Sequence, residues 1–204
     1  MNYTPEARAL LNLLNKYGSL TLPQIYKLFR TDRFNPQKMI AFLCKVHAIQ
    51  FLEDNYAVLQ NRPNYSIETL YCIWVMLDKV EKNMQKQGKT GFLWDTNDVK
   101  TSNRTSTVSE VMFISNNRVS EYLTYIDRTT IAKVSMIQDT FYVSTGVTPG
   151  NEKSSDRLYT FVVKDEEIME IIGDMNLTIP YQIAYISGDL TGVPTIEYYE
   201  LAES

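Results

Sequence analysis

The chain has 204 residues, 44% of them hydrophobic, which is enough apolar material for one good core or two small ones. Its net charge of −4 is unevenly divided: residues 1–88 hold 11 Lys and Arg against 7 Asp and Glu, whereas residues 89–204 hold 9 against 17. A basic first half and an acidic second half imply that only the first faces a polyanion. The two cysteines, Cys44 and Cys72, sit in helical apolar runs and read as reduced thiols rather than a disulfide or metal site. His47 is the one histidine, which excludes zinc sites built from several imidazoles. The start, Met1-Asn2-Tyr3-Thr4-Pro5-Glu6, lacks the basic and small-residue features of a signal peptide. No apolar run approaches the roughly twenty residues that a membrane span needs. The expectation is a cytoplasmic chain that needs no cofactor and no membrane.

Thr4 caps a first helix with Pro5 at its first position, and Ala7, Leu10, Leu11, Leu14 and Tyr17 form its inner stripe up to Gly18. Ser19-Leu20-Thr21 reads as an extended link. Thr21 and Gln24 have capping-box spacing, and Ile25, Leu28 and Phe29 give a second helix its inner face. Asn35-Pro36 opens a third helix running to His47, with Ile40, Leu43 and Val46 inward and Gln37, Lys38, Ala41 and Lys45 outward. Ile49–Leu52 and Tyr56–Leu59 alternate as a β-hairpin around Glu53-Asp54-Asn55. After the break at Asn61-Arg62-Pro63-Asn64, Ser66 caps a long helix to about Gln87. Its run Leu70–Leu77 is apolar on every side and must be covered all round. That requirement points to a homodimer whose interface holds Leu70, Tyr71, Ile73, Trp74 and Leu77; the alternative is a helix sandwiched within one chain. Gly88-Lys89-Thr90-Gly91 reads as the linker.

In the second half, strands are expected at 109–115, 131–137, 139–145, 158–163, 181–187 and 195–201. Helices are expected at 117–126 and 165–173. Residues 146–157, rich in Gly, Pro, Ser and charge, read as a loop. The strand-helix-strand unit over 158–187 implies a parallel pair, and the last strand closes an edge. The fold class is therefore α+β: a first unit over 1–63, a connecting or dimerisation helix and linker over 64–91, and a small acidic α/β domain with a mixed sheet over 92–204.

Chemistry is sparse. Lys164 beside Asp165 and Glu166 invites a metal-dependent nuclease reading, but the lysine precedes the acids, and no acid-x-lysine follows a strand-borne aspartate. Asp127 and Asp139 offer no better ligands. No glycine-rich phosphate loop is present. The sequence implies no enzyme.

Two short helices, a third helix and an immediate hairpin over residues 4–60 resemble the winged helix-turn-helix superfamily. The resemblance implies duplex DNA as partner. Gln37 and Asn35 would then bond adenine and Lys38 guanine or phosphate, while Arg30, Arg33, Lys45 and Arg62 would meet phosphate. The acidic wing tip, Glu53-Asp54, departs from the basic tips of DNA-binding wings and supports a protein-binding alternative. The strands at Phe161–Lys164 and Tyr181–Ile186 make the whole chain similar to a group of proteins on mobile elements of Gram-positive gut bacteria, in which a winged helix precedes a small α/β domain. Replication-relaxation proteins share the idea of a winged helix with a nuclease-like partner, and this chain departs from an active nuclease at the acids. The function these features imply is a dimeric DNA-binding accessory or regulatory protein, with the acidic half as a protein-contact or sensor module.

Overall fold

The computed structural model describes residues 2–31, 33–86, 88, 108–114, 131–137, 140–146, 157–174 and 181–200. The architecture is mixed α+β, and the element order of the first part follows the local signals. Helix α1 (Pro5–Tyr17) begins where the Thr4 hydroxyl accepts the Ala7 N–H, and it ends at Gly18, whose φ of 85° only glycine adopts without strain. Helix α2 (Leu22–Phe29) carries the complete capping box, Thr21 and Gln24 bonding each other's backbone N–H. Ser19–Thr21, expected as an extended link, pairs as strand β1. Helix α3 (Pro36–Lys45) leads into strands β2 (Ile49–Leu52) and β3 (Tyr56–Leu59), and β3 lies between β1 and β2 in an antiparallel sheet. The link pairs because β3 would otherwise present one row of backbone N–H and C=O groups without partners.

Two turns in this part use the left-handed region with residues other than glycine. His47 (φ 54°) follows α3, and the Ala48 N–H to Leu43 C=O and His47 N–H to Cys44 C=O bonds make a Schellman end. Glu53 (φ 50°) and Asp54 (φ 57°) lie in the three-residue connection Glu53–Asn55, which the Asn55 N–H to Leu52 C=O bond closes.

Helix α4 (Ile67–Lys86) is the central element. It carries the helical unit on one side and, on the other, a sheet of six described strands ordered β6-β5-β4-β7-β8-β9. These are β4 (Val108–Phe113), β5 (Ile131–Ile137), β6 (Thr140–Gly146), β7 (Arg157–Val163), β8 (Tyr181–Ser187) and β9 (Thr195–Glu200). The pairs β4–β7 and β7–β8 are parallel and the others antiparallel, so the sheet is mixed, with β9 at one edge as the sequence implied. Helix α5 (Glu166–Asp174) joins β7 to β8. The expected helix over 117–126, the linker after Gly88 and the loop after Gly146 lie outside the described residues.

Strand alternation divides the sheet's side chains between two cores. Val111, Val162, Ala184 and Ile186 join α4 and the helical unit in one cluster, whereas Met112, Phe161, Val163 and Ile183 pack with Ile168 and Ile172 of α5 in another. The first cluster runs from Ala7 to Leu190, so the core does not break at the expected boundary near residue 63.

This arrangement places the expected dimer interface inside a single chain. Leu70, Tyr71, Ile73, Trp74 and Leu77 are each 5% exposed or less within a single chain. The sheet and the helical unit cover the helix all round, which removes the argument that called for a second subunit. Among the described residues no helix is long and apolar enough to cross a membrane.

Candidate nucleic-acid interface

The buried positions of α3 are Pro36, Met39, Ile40 and Leu43. The inward stripe thus begins one turn earlier than expected. Val46 is only half-buried, because it falls at the helix end, where the chain has already begun to turn. The exposed positions are Gln37, Lys38, Ala41, Phe42 and Lys45, a continuous arc with no acidic residue on the helix. Gln37, Ala41 and Lys45 are spaced four apart and form one row along the helix; Lys38 and Phe42 form the next. Phe42, which the sequence reading passed over, is 40% exposed and meets the Tyr3 ring edge-on at 6.2 Å between centroids. Its signal in the sequence is an aromatic residue outside the four core positions.

Asn35 caps the helix, its side-chain oxygen accepting the Gln37 N–H at 2.9 Å. That bond occupies the acceptor which a bidentate adenine contact requires, so the cap role competes with the base-reading role expected for Asn35. Arg30 and Arg33 are exposed in the turn ahead of α3. Arg30 borders a shallow depression of about 320 Å³ that also touches Tyr26, Thr31, Phe34, Asn35 and Pro36. Arg62 stands apart from this group. It lies at the base of the hairpin, where Leu59 and Arg62 bridge, and its guanidinium donates to the Asn15 side chain at 3.2 Å. In sequence, residues 1–52 hold seven Lys and Arg against two Asp and Glu, so the cationic excess is concentrated before the hairpin tip.

The tip of the β2–β3 hairpin is tied into the rest of the chain. Asn55 Nδ2 donates to the Leu190 carbonyl in the β8–β9 turn at 2.7 Å, and Leu190 itself is buried in the larger core. The Tyr65 hydroxyl donates to Glu53 at 2.8 Å, and Tyr65 stacks on Tyr56 with centroids 4.4 Å apart. None of these contacts is readable from local spacing, since Asn55 and Leu190 are separated by 135 residues.

The second half offers two lysine-centred clusters. Lys164 Nζ donates to the Tyr71 hydroxyl at 2.6 Å and to the Gly188 carbonyl at 3.0 Å, and it sits 4.4 Å from the centre of the Tyr71 ring. Asp165 accepts the Glu167 N–H at the start of α5. The lysine thus bonds across to α4 and the β8–β9 turn, while the acid caps α5. Asp127 and Asp139 lie outside the described residues. Among the described residues no group of three or more His, Cys, Asp or Glu side chains could hold a metal ion.

The other cluster joins α4 to the sheet. Lys79 Nζ donates to Thr160 Oγ1 at 2.6 Å, which also accepts from Gln182 at 2.9 Å. Tyr198 donates to Asp78 at 2.8 Å, and Lys82 pairs with the same carboxylate. Burial lowers the Lys79 ammonium to about 8, despite the opposing pull of Asp78. Burial likewise raises the Tyr198 phenol, with the Asp78 carboxylate adding to it. Cys72 is buried and its thiol is raised by desolvation, the state of an unreactive core thiol. No family model, no curated protein and no solved structure matches this chain.

Proposed function

We propose that residues 4–60 are a winged helix-turn-helix and that the protein binds duplex DNA through α3. In this reading it acts as an accessory or regulatory protein, and the acidic α/β half makes protein contacts or senses a ligand. The observation that carries the reading is the outer face of α3, which exposes Gln37, Lys38, Ala41, Phe42 and Lys45 with no acid among them. Arg30 and Arg33 extend the positive charge ahead of it. A helix of this composition suits the major groove, where amide and ammonium groups meet base edges and phosphates. Neither a catalytic role nor a dimer through α4 forms part of the proposal.

A second reading rests on the wing. Its tip is acidic and its Asn55 is held by the β8–β9 turn, which favours a protein-binding surface over a groove-binding one. Gel shifts of generic duplex DNA at two salt concentrations separate the readings, because phosphate contacts release counterions. Under the DNA reading, affinity falls with salt, and Lys38→Ala with Arg33→Ala weakens binding to all duplexes alike. Each lost phosphate contact flattens the salt slope by about one unit. Absence of duplex affinity at low salt, with none gained by Glu53→Lys, leaves the protein-binding reading.

A further inference from the structure

We infer that α3 reads thymine-containing base pairs, with the Ala41 methyl and the Phe42 ring set against the thymine 5-methyl group; this rests on the duplex-binding reading above. The argument begins from residues that the fold does not need outside. The core of α3 is complete with Pro36, Met39, Ile40 and Leu43, yet two further apolar residues lie on the solvent side. Ala41 sits between Gln37 and Lys45 in one row, and Phe42 follows Lys38 in the next. The outward face is thus apolar in its middle and polar toward both ends. Tyr3 supports the Phe42 ring edge-on, which holds it on the surface without burying it.

Charge complementarity selects the occupant of this face. Lys38 and Lys45 flank the apolar pair along α3, Arg30 and Arg33 stand exposed in the turn ahead of the helix, and α3 has no acid, so a polyanion fits where an apolar protein partner would have to desolvate these charges. Within the major groove the thymine methyl is the apolar group that distinguishes one base pair from another. Gln37, one turn before Ala41, is placed to bond adenine N6 and N7. Gln37 and the apolar pair together specify an A·T step.

Removing the methyl from the DNA tests this directly. Wild-type protein is titrated by fluorescence anisotropy against an alternating A·T duplex and against the same duplex with uracil in place of thymine. The expected result is binding to the uracil duplex about fourfold to fifteenfold weaker, the worth of one or two buried methyl groups. Phe42→Ala and Ala41→Ser should each reduce that ratio toward one while leaving the salt slope unchanged, since neither removes a charge. Circular dichroism checks that both variants keep the fold. Equal wild-type affinity for the two duplexes, with a normal salt slope, overturns the inference while leaving duplex binding intact. A thymine preference that survives in both variants overturns the assignment to Ala41 and Phe42. Absence of binding to either duplex at low salt removes the duplex reading and this inference together.

Discussion

Single residues show how tertiary contacts redirect chemistry that looks ordinary in the sequence. Lys79 is one of three lysines in the polar second half of α4, and its neighbours in sequence resemble a solvated helix face. Packing against β7 leaves it half-buried on the Thr160 hydroxyl, with the Tyr198 ring 6.0 Å away. Its ammonium falls from an ordinary 10.5 to about 8, so between these values the unfolded chain binds more protons than the folded one. Stability should therefore rise with pH from about 8 toward 10, by at most about 1.4 kcal/mol per pH unit. Below 8 the penalty is constant. Tyr17 and Tyr198, both raised by burial, set the upper limit, since above 10 their unfolded forms ionise and stability falls. Urea denaturation at closely spaced pH values, wild type beside Lys79→Met, checks the sign. A stability difference between the two that stays flat across the window would refute the assignment.

At the scale of elements, α4 decides the architecture. Leu70–Leu77 has no polar face, and the structure resolves the resulting demand for cover by placing the helical unit on one side and the sheet on the other. Polar anchors mark both faces: Gln24 donates to the Leu70 carbonyl and Lys27 pairs with Glu81 on the helical side, while Tyr71 stacks on Phe113 and Asp78 accepts from Tyr198 on the sheet side. Trp74 is 1% exposed, and among the described residues its indole N–H has no hydrogen-bond partner. Trp74→Ala should cost about 3–5 kcal/mol through the cavity it leaves. Trp74→Phe should cost much less, because it also removes a buried donor whose lack of a partner costs about 1–3 kcal/mol. Chemical denaturation of both variants measures the gap, and equal losses would show that the indole N–H is satisfied.

Across the whole molecule, the continuous core from Ala7 to Leu190 joins two halves of opposite charge. Leu190 lies in the core shared with the helical unit, and its own carbonyl accepts from Asn55 at the β2–β3 hairpin. Unfolding should accordingly be one cooperative transition, with fluorescence and circular dichroism changing together. A chain shortened to residues 1–88 should lose the native packing of α4, since Val111, Val162, Ala184 and Ile186 no longer cover it. Retention of a sharp, independent unfolding transition by the shortened chain would show that the helical unit closes its own core.

The sequence by itself determined the elements whose signals are local. Thr4, Thr21, Asn35 and Gly18 mark helix ends through bonds or dihedrals that span a few residues, and the helix and strand positions they frame are observed within one or two residues. The parallel β7–β8 pair and the edge position of β9 were legible for the same reason, since short intervals restrict how consecutive elements can meet. Most of the candidate interface was legible too, because exposure on α3 follows from helical periodicity; Phe42 was the exception, assigned to neither face although it lies on the exposed one. Only the tertiary structure decided what covers α4, that Ser19–Thr21 pairs with β3, that Asn55 is tied to Leu190, and that Lys79 lies against Thr160. An apolar helix states a need for burial without naming the surface that meets it, because hydrophobic attraction is non-directional. Contacts between residues far apart in the chain are chosen when packing and hydrogen-bond satisfaction are settled together, and no local pattern carries that choice.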